Sequence, residues 1–119
     1  MEKFYYRRLE VYQNAKQLAI DIHELQKKIP QSERYALTDQ LNRASTSVLF
    51  NIAEGFGRFS NNDRIRFLDI ANGSLMETSS ELELALSFKY ITDEEFDILD
   101  ERILVIVRQL AKLRTTIQA

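Results

Sequence analysis

The stretch TDEEFDILDERILVIVRQLAKLRTTI, residues 92–117, decides the fold class. Its apolar residues Phe96, Leu99, Ile103, Ile106, Leu110, Leu113 and Ile117 recur at steps of three and four. That spacing lines one face of an α-helix. Thr92 and Glu95 form a capping box at its start. Asp93 and Glu94 put negative charge where the helix dipole is positive.

Three more segments carry the same period. Val11, Ala15, Leu18, Ile22, Leu25 and Ile29 form the first series, and Pro30 ends it because the residue before proline leaves the helical region. Leu37, Leu41, Ala44, Val48 and Ile52 form the second. Ser32 is its expected N-cap, and Gly55 and Gly57 are expected to close it in left-handed conformations. Ser60 with Asp63 starts the third series, Ile65, Leu68, Ala71, Leu75, Thr78, Leu82 and Ala85. The spacing predicts helices over residues 8–29, 33–56, 61–89 and 93–117. No useful stretch alternates with period two, and the connections are short, so neighbours run antiparallel. The fold class is all-α, a single domain (1–119) built as an up-down four-helix bundle.

Composition agrees and excludes much chemistry. The 119 residues suffice for one domain with a buried core. Cysteine is absent, so disulfides, thiol catalysis and cysteine metal sites are excluded. The lone histidine, His23, lacks the Glu-x-x-His spacing of di-metal bundles. Glu77, Glu81, Glu83 and Asp69 supply carboxylates on the third helix without a matching inward set. Gly55-Phe56-Gly57 follows a helix and lacks a third glycine, so it is no phosphate loop. No nucleophile, base and orienting group come together in the sequence. The expectation is a protein without catalytic, cofactor-binding or metal-binding residues. The start of the chain shows no apolar stretch after its charges, and the longest aliphatic run, residues 103–107, is far short of the ~20 residues of a membrane span. The expected compartment is the cytoplasm, with no membrane partner.

Two residue sets point outward. Ile20, Phe50, Leu84 and Leu104 lie opposite the core stripes of their own helices, and Ile70 and Phe88 lie off the third stripe. Every helix therefore carries an apolar residue suited to self-association. Arg58, Arg64 and Arg66 surround the turn between the second and third helices, with Phe56 and Phe59 among them. Lys3, Arg7 and Arg8 sit among Phe4, Tyr5 and Tyr6. Arginine interleaved with aromatics is a nucleic-acid footprint. Against it stands a net charge of −2, with 16 Lys plus Arg facing 18 Asp plus Glu. Residues 1–59 hold nine basic and seven acidic residues; residues 60–119 hold seven and eleven.

The second helix also carries a polar stripe. Arg43, Ser47, Asn51 and Glu54 share one flank, and Asn51 falls near the core. A buried polar group without partners costs ~1–3 kcal/mol. The stripe is therefore expected to form a hydrogen-bonded clamp that fixes register, with Arg64, Arg66 and the Ser74 region as partners of Asn51 and Glu54. Gly73 interrupts the third helix, and close approach of the second helix is its expected reason.

Tyr35-Ala36-Leu37-Thr38-Asp39-Gln40-Leu41-Asn42-Arg43-Ala44, then Asn51-Ile52-Ala53-Glu54-Gly55, then Phe67-Leu68-Asp69-Ile70-Ala71-Asn72-Gly73-Ser74, resembles the bacterial four-helix-bundle family of proteins encoded in 23S rRNA intervening sequences. That family is similar to the accessory variability determinant of diversity-generating retroelements. Leu9-Glu10-Val11-Tyr12 and Pro30-x-x-Glu33-x-Tyr35 fit as well, so the resemblance spans nearly the whole chain. It implies a ring, a homopentamer, and a ribosomal or rRNA association. Two features depart from it. Leu49 stands where the family pattern has proline, and the chain is acidic where nucleic-acid-binding relatives are basic. The expected function is a non-enzymatic, ring-forming accessory or scaffold protein, associated with RNA or a ribonucleoprotein through Arg58, Arg64 and Arg66. The alternative is a protein–protein scaffold that touches no nucleic acid.

Overall fold

Local chemistry sets the helix ends. Ser60 Oγ accepts a hydrogen bond from the Asp63 backbone N–H at 3.1 Å and opens a helix over Asn61–Ser87. Thr92 and Glu95 bond reciprocally, Glu95 N–H to Thr92 Oγ1 at 3.1 Å and Thr92 N–H to Glu95 Oε1 at 2.9 Å. This capping box opens the last helix, Asp93–Gln118. A computed structural model describes residues 3–118 as α1 (Glu10–Leu25), α2 (Asp39–Phe56), α3 (Asn61–Ser87) and α4 (Asp93–Gln118). Short 3-10 turns cover Tyr5–Arg8, Gln26–Lys28 and Gln31–Glu33, and a π-turn covers Arg34–Thr38. No strand occurs among the described residues.

Cross-helix pairs show the antiparallel run. Asn14 meets Gln109, Asp21 meets Arg102 and Lys28 meets Glu95, stepping in opposite directions along the first and last helices. Ser47 meets Ser74 between α2 and α3, and Asp69 meets Arg114 between α3 and α4. The periodic residues form the core. Leu18, Ile22, Leu41, Val48, Ile52, Leu68, Leu75, Leu82 and Ile106 are all but fully buried. The bundle extends 44 Å along its axis and 26 by 23 Å across.

The details differ from expectation at four points. α1 ends at Leu25 and continues as a 3-10 turn; Ile29 before the proline is extended, at φ −89° and ψ 130°. Ser32 caps nothing, because the chain enters α2 through a 3-10 turn and the widened π-turn that buries Leu37. Neither Gly55 nor Gly57 is left-handed. Gly57 has φ −87°, and the positive φ belongs to Lys89 at 66°. Lys89 ends α3 in a Schellman arrangement, with Tyr90 N–H on Ala85 O at 3.0 Å and Lys89 N–H on Leu86 O at 2.9 Å. Finally, Gly73 lies on the exposed face of α3, and a Cβ added there meets nothing within 4 Å. The close approach occurs at Gly55, where a Cβ would lie 3.2 Å from Phe67 Cβ and 3.4 Å from Arg64 O. Leu49, in the place of the family's proline, is buried and leaves α2 unbroken.

These two glycines should respond oppositely. Gly73→Ala is expected to stabilise by about 1 kcal/mol, raising the melting temperature by roughly 4 °C. Gly55→Ala should lower it, because Phe67 and the Arg64 carbonyl have to move. Thermal melts followed by circular dichroism check both signs.

Candidate functional site

Small polar residues line the seam where α2 and α3 pack most closely. Ser47 Oγ and Ser74 Oγ are 2.9 Å apart. Asn51 Nδ2 donates to Ser47 O at 2.8 Å and to Ser47 Oγ at 2.9 Å. Thr78, fully buried, donates to Ser74 O at 2.8 Å. Ser47 and Asn51 therefore reach α3 through Ser74. Glu54 does not join them. It is exposed and pairs with Arg58, Oε1 to Nη2 at 3.3 Å, one turn along its own helix. Arg43 is exposed at the other end of the stripe, and its charge acts on Glu81.

Glu81 is the residue that the sequence reading missed. It is only 8% exposed, and neither carboxylate oxygen finds a hydrogen-bond partner among the described residues. Burial pushes its pKa up to about 7, the neighbouring Glu77 carboxylate adds to the rise, and Arg43 opposes it. The signal was present: Glu81 follows Thr78 by three residues and precedes Ala85 by four, so it sits on the edge of the core stripe. Its three carboxylate companions, Glu77, Glu83 and Asp69, are exposed.

The fold gathers charge in a way the chain order hides. Cut midway along the helices, residues 3–17, 48–74 and 106–118 form one half of the bundle. That half carries ten basic and four acidic residues; the half formed by 18–47 and 75–105 carries six and thirteen. A chain of net charge −2 is thus strongly basic at one end and strongly acidic at the other.

Both arginine–aromatic clusters stand at the basic end. The guanidinium of Arg58 lies 4.5 Å from the Phe67 ring centroid and that of Arg66 lies 5.0 Å from it. Arg64 Nε donates to Arg58 O at 3.0 Å and its guanidinium lies 5.8 Å from the Phe56 ring centroid. Tyr5 packs against the same Phe56 at 6.0 Å between centroids, which brings the N-terminal segment beside the α2–α3 turn. Arg7 lies over Phe4 and Tyr6, at 5.2 and 5.6 Å. Arg66 also approaches Asp63, at 3.8 Å. The three predicted arginines are thus close together, each over a ring and each with a local oxygen partner.

The four outward apolar residues are all exposed. Ile20 and Phe50 line one groove between α1 and α2 with Ala19, Leu49 and His23, enclosing about 300 Å³. Leu84 on α3 and Leu104 on α4 do not line that groove. Among the described residues, no helix is long and apolar enough to cross a membrane, and no three His, Asp or Glu side chains converge as metal ligands.

Four antiparallel helices around one apolar core, with charge sorted to the two ends, define a small up-down helical-bundle protein. The chain belongs to the family of 23S rRNA-intervening sequence proteins, whose model matches residues 7–112. Its fold is similar to a crystal structure from Bacteroides thetaiotaomicron VPI-5482, described as a protein of unknown function from the S23 ribosomal protein family. The two are 28% identical with a TM-score of 0.80, over 87% of this chain and 97% of the other. No curated protein matches the chain.

Glu81 makes stability depend on pH in the direction opposite to most carboxylates. Folded, it holds its proton up to about pH 7, whereas unfolded it ionises near 4.5. Its contribution is therefore complete below pH 4.5 and is lost as pH rises through 7. The full amplitude is on the order of 3 kcal/mol. Glu81→Gln cannot ionise. It should melt well above the wild type at pH 8 and close to it at pH 5. Parallel melting curves across that range would contradict the assignment.

Proposed function

We propose that this protein is a non-enzymatic, cytoplasmic accessory protein that assembles as a ring of identical copies and associates with RNA or a ribonucleoprotein through its basic end. The observation that carries this reading is the collection of ten basic residues against four at one end of an acidic chain, with Arg58, Arg64 and Arg66 set among aromatic rings. A polyanion would meet that end and be repelled from the other, which fixes its orientation. Membership of a family named for 23S rRNA intervening sequences supports the choice of RNA.

The exposed apolar residues support the self-association part of this reading. The Ile20–Phe50 groove lies on the α1–α2 side, while Leu84 and Leu104 lie on the opposite helices. Contact between different faces of identical copies is heterologous, and a heterologous contact closes into a ring when its rotation allows. The family resemblance sets the expected number at five. A ring of parallel copies would multiply the basic end into one continuous annulus. The second reading, a scaffold for proteins alone, is favoured by the acidic half and its thirteen carboxylates.

Binding of labelled structured RNA and of duplex DNA across a salt series tests the main reading. Tight binding that falls steeply with salt is expected, and Arg58→Ala with Arg66→Ala should weaken it and flatten the salt slope. No binding at low salt would transfer the case to the protein scaffold. Phe50→Asp with Leu104→Asp should reduce the mass seen by light scattering while leaving the helical spectrum intact. An unchanged mass would remove both residues from the interface.

A further inference from the structure

Phe59 is fully exposed, in the four-residue connection between α2 and α3. The turn is held by Gly57 N–H on Glu54 O, Arg58 N–H on Gly55 O, Arg64 N–H on Ser60 O and the Ser60 cap, and none of these bonds involves Phe59. Its ring gives the fold nothing to pack against. It borders an open groove of about 530 Å³ with Arg58, Ser60 and Gly57, at the basic end of the bundle. Tyr5 and Phe4, each more than half exposed, stand at the same end, and Tyr5 is anchored to α2 through Phe56.

Exposed rings beside guanidinium groups have a specific use. An unpaired base offers a π-face to an aromatic ring, while the phosphate beside it meets the positive charge. Paired bases inside a duplex are already stacked on both faces, so a duplex meets this end chiefly through its phosphates. Of the four carboxylates in this half, Glu54 and Asp63 beside the turn are each engaged by an arginine, which limits their repulsion of a strand.

We propose that the basic end binds unpaired nucleotides of a single-stranded nucleic acid, with bases stacking on Phe59 and Tyr5 and phosphates drawn to Arg58 and Arg66. This deepens the nucleic-acid reading above and rests on it. The chemistry shared by the two strands is an unpaired base with its phosphate, and RNA and DNA strands are separated by experiment.

Fluorescence anisotropy with the full chain and three probes tests it: a 15-nucleotide (dT) strand, the matching (U) strand and a blunt duplex, about 15 units long to exceed one site. At equal salt, both single strands, or the (U) strand alone, should bind at least about ten-fold tighter than the duplex. Phe59→Ala should cost about ten-fold on the single strands, leave the duplex unchanged and leave the melting temperature unchanged, since the ring packs against nothing. Tyr5→Ala should act in the same direction. Equal affinity for duplex and single strands, or no effect of Phe59→Ala, overturns the stacking site while the nucleic-acid reading stands. Failure of all three probes at low salt overturns both.

Discussion

The close approach of α2 to α3 is the constraint on which the rest of the structure depends. It is possible because Gly55 has no side chain to meet Phe67 and the Arg64 carbonyl, and because Ser47 and Ser74 are small enough to touch through their hydroxyls. Helices that near half-bury the polar groups between them, and those groups satisfy one another. Asn51, Ser47, Ser74 and Thr78 do so in a continuous chain of hydrogen bonds. Glu81 does not, and its buried carboxyl, beside the Glu77 carboxylate, holds its proton toward neutral pH. The same approach sets the α2–α3 turn, where Arg58 and Arg66 reach Phe67 from the ends of two helices.

Antiparallel packing then converts a chain of mild charge into a polar object. Along the chain, basic and acidic residues are nearly evenly mixed. The up-down topology places the start of α1, the end of α2, the start of α3 and the end of α4 together, and those four segments hold most of the lysines and arginines. A net charge of −2 describes neither end. An argument against polyanion binding from the overall charge therefore loses its force once the topology is known, because a ligand within one Debye length, about 8 Å at physiological salt, senses one end and not the other.

Much of this was legible in the residues. The three-and-four spacing of Val11 to Ile29, Leu37 to Ile52, Ile65 to Ala85 and Phe96 to Ile117 places most of the buried side chains, since helix geometry is a local property; Ala19, Ser45, Leu49, Phe67, Glu81 and Ile91 lie outside it. Ser60 and Thr92 mark two helix starts because their caps bond within three residues. Ser32 misled because a cap competes with other ways to enter a helix, and here a 3-10 turn and a π-turn prevailed. The close approach expected at Gly73 falls at Gly55 for a different reason. Which glycine meets a neighbour depends on the rotation of two helices about their axes, a fraction of a turn that spacing alone leaves open.

The sequence by itself determined four amphipathic helices, their order, their antiparallel run and the absence of cysteine chemistry, because each follows from periodicity, caps, loop length and composition. It also located the arginines of the α2–α3 turn. Only the tertiary structure decided that Ser47 meets Ser74 across the α2–α3 seam, that Glu81 is enclosed without a donor, and that Tyr5 joins the α2–α3 turn through Phe56. It likewise decided that charge is sorted by end. These are facts about contacts between residues distant in the chain, and such contacts are fixed by how helices pack and not by how each one forms.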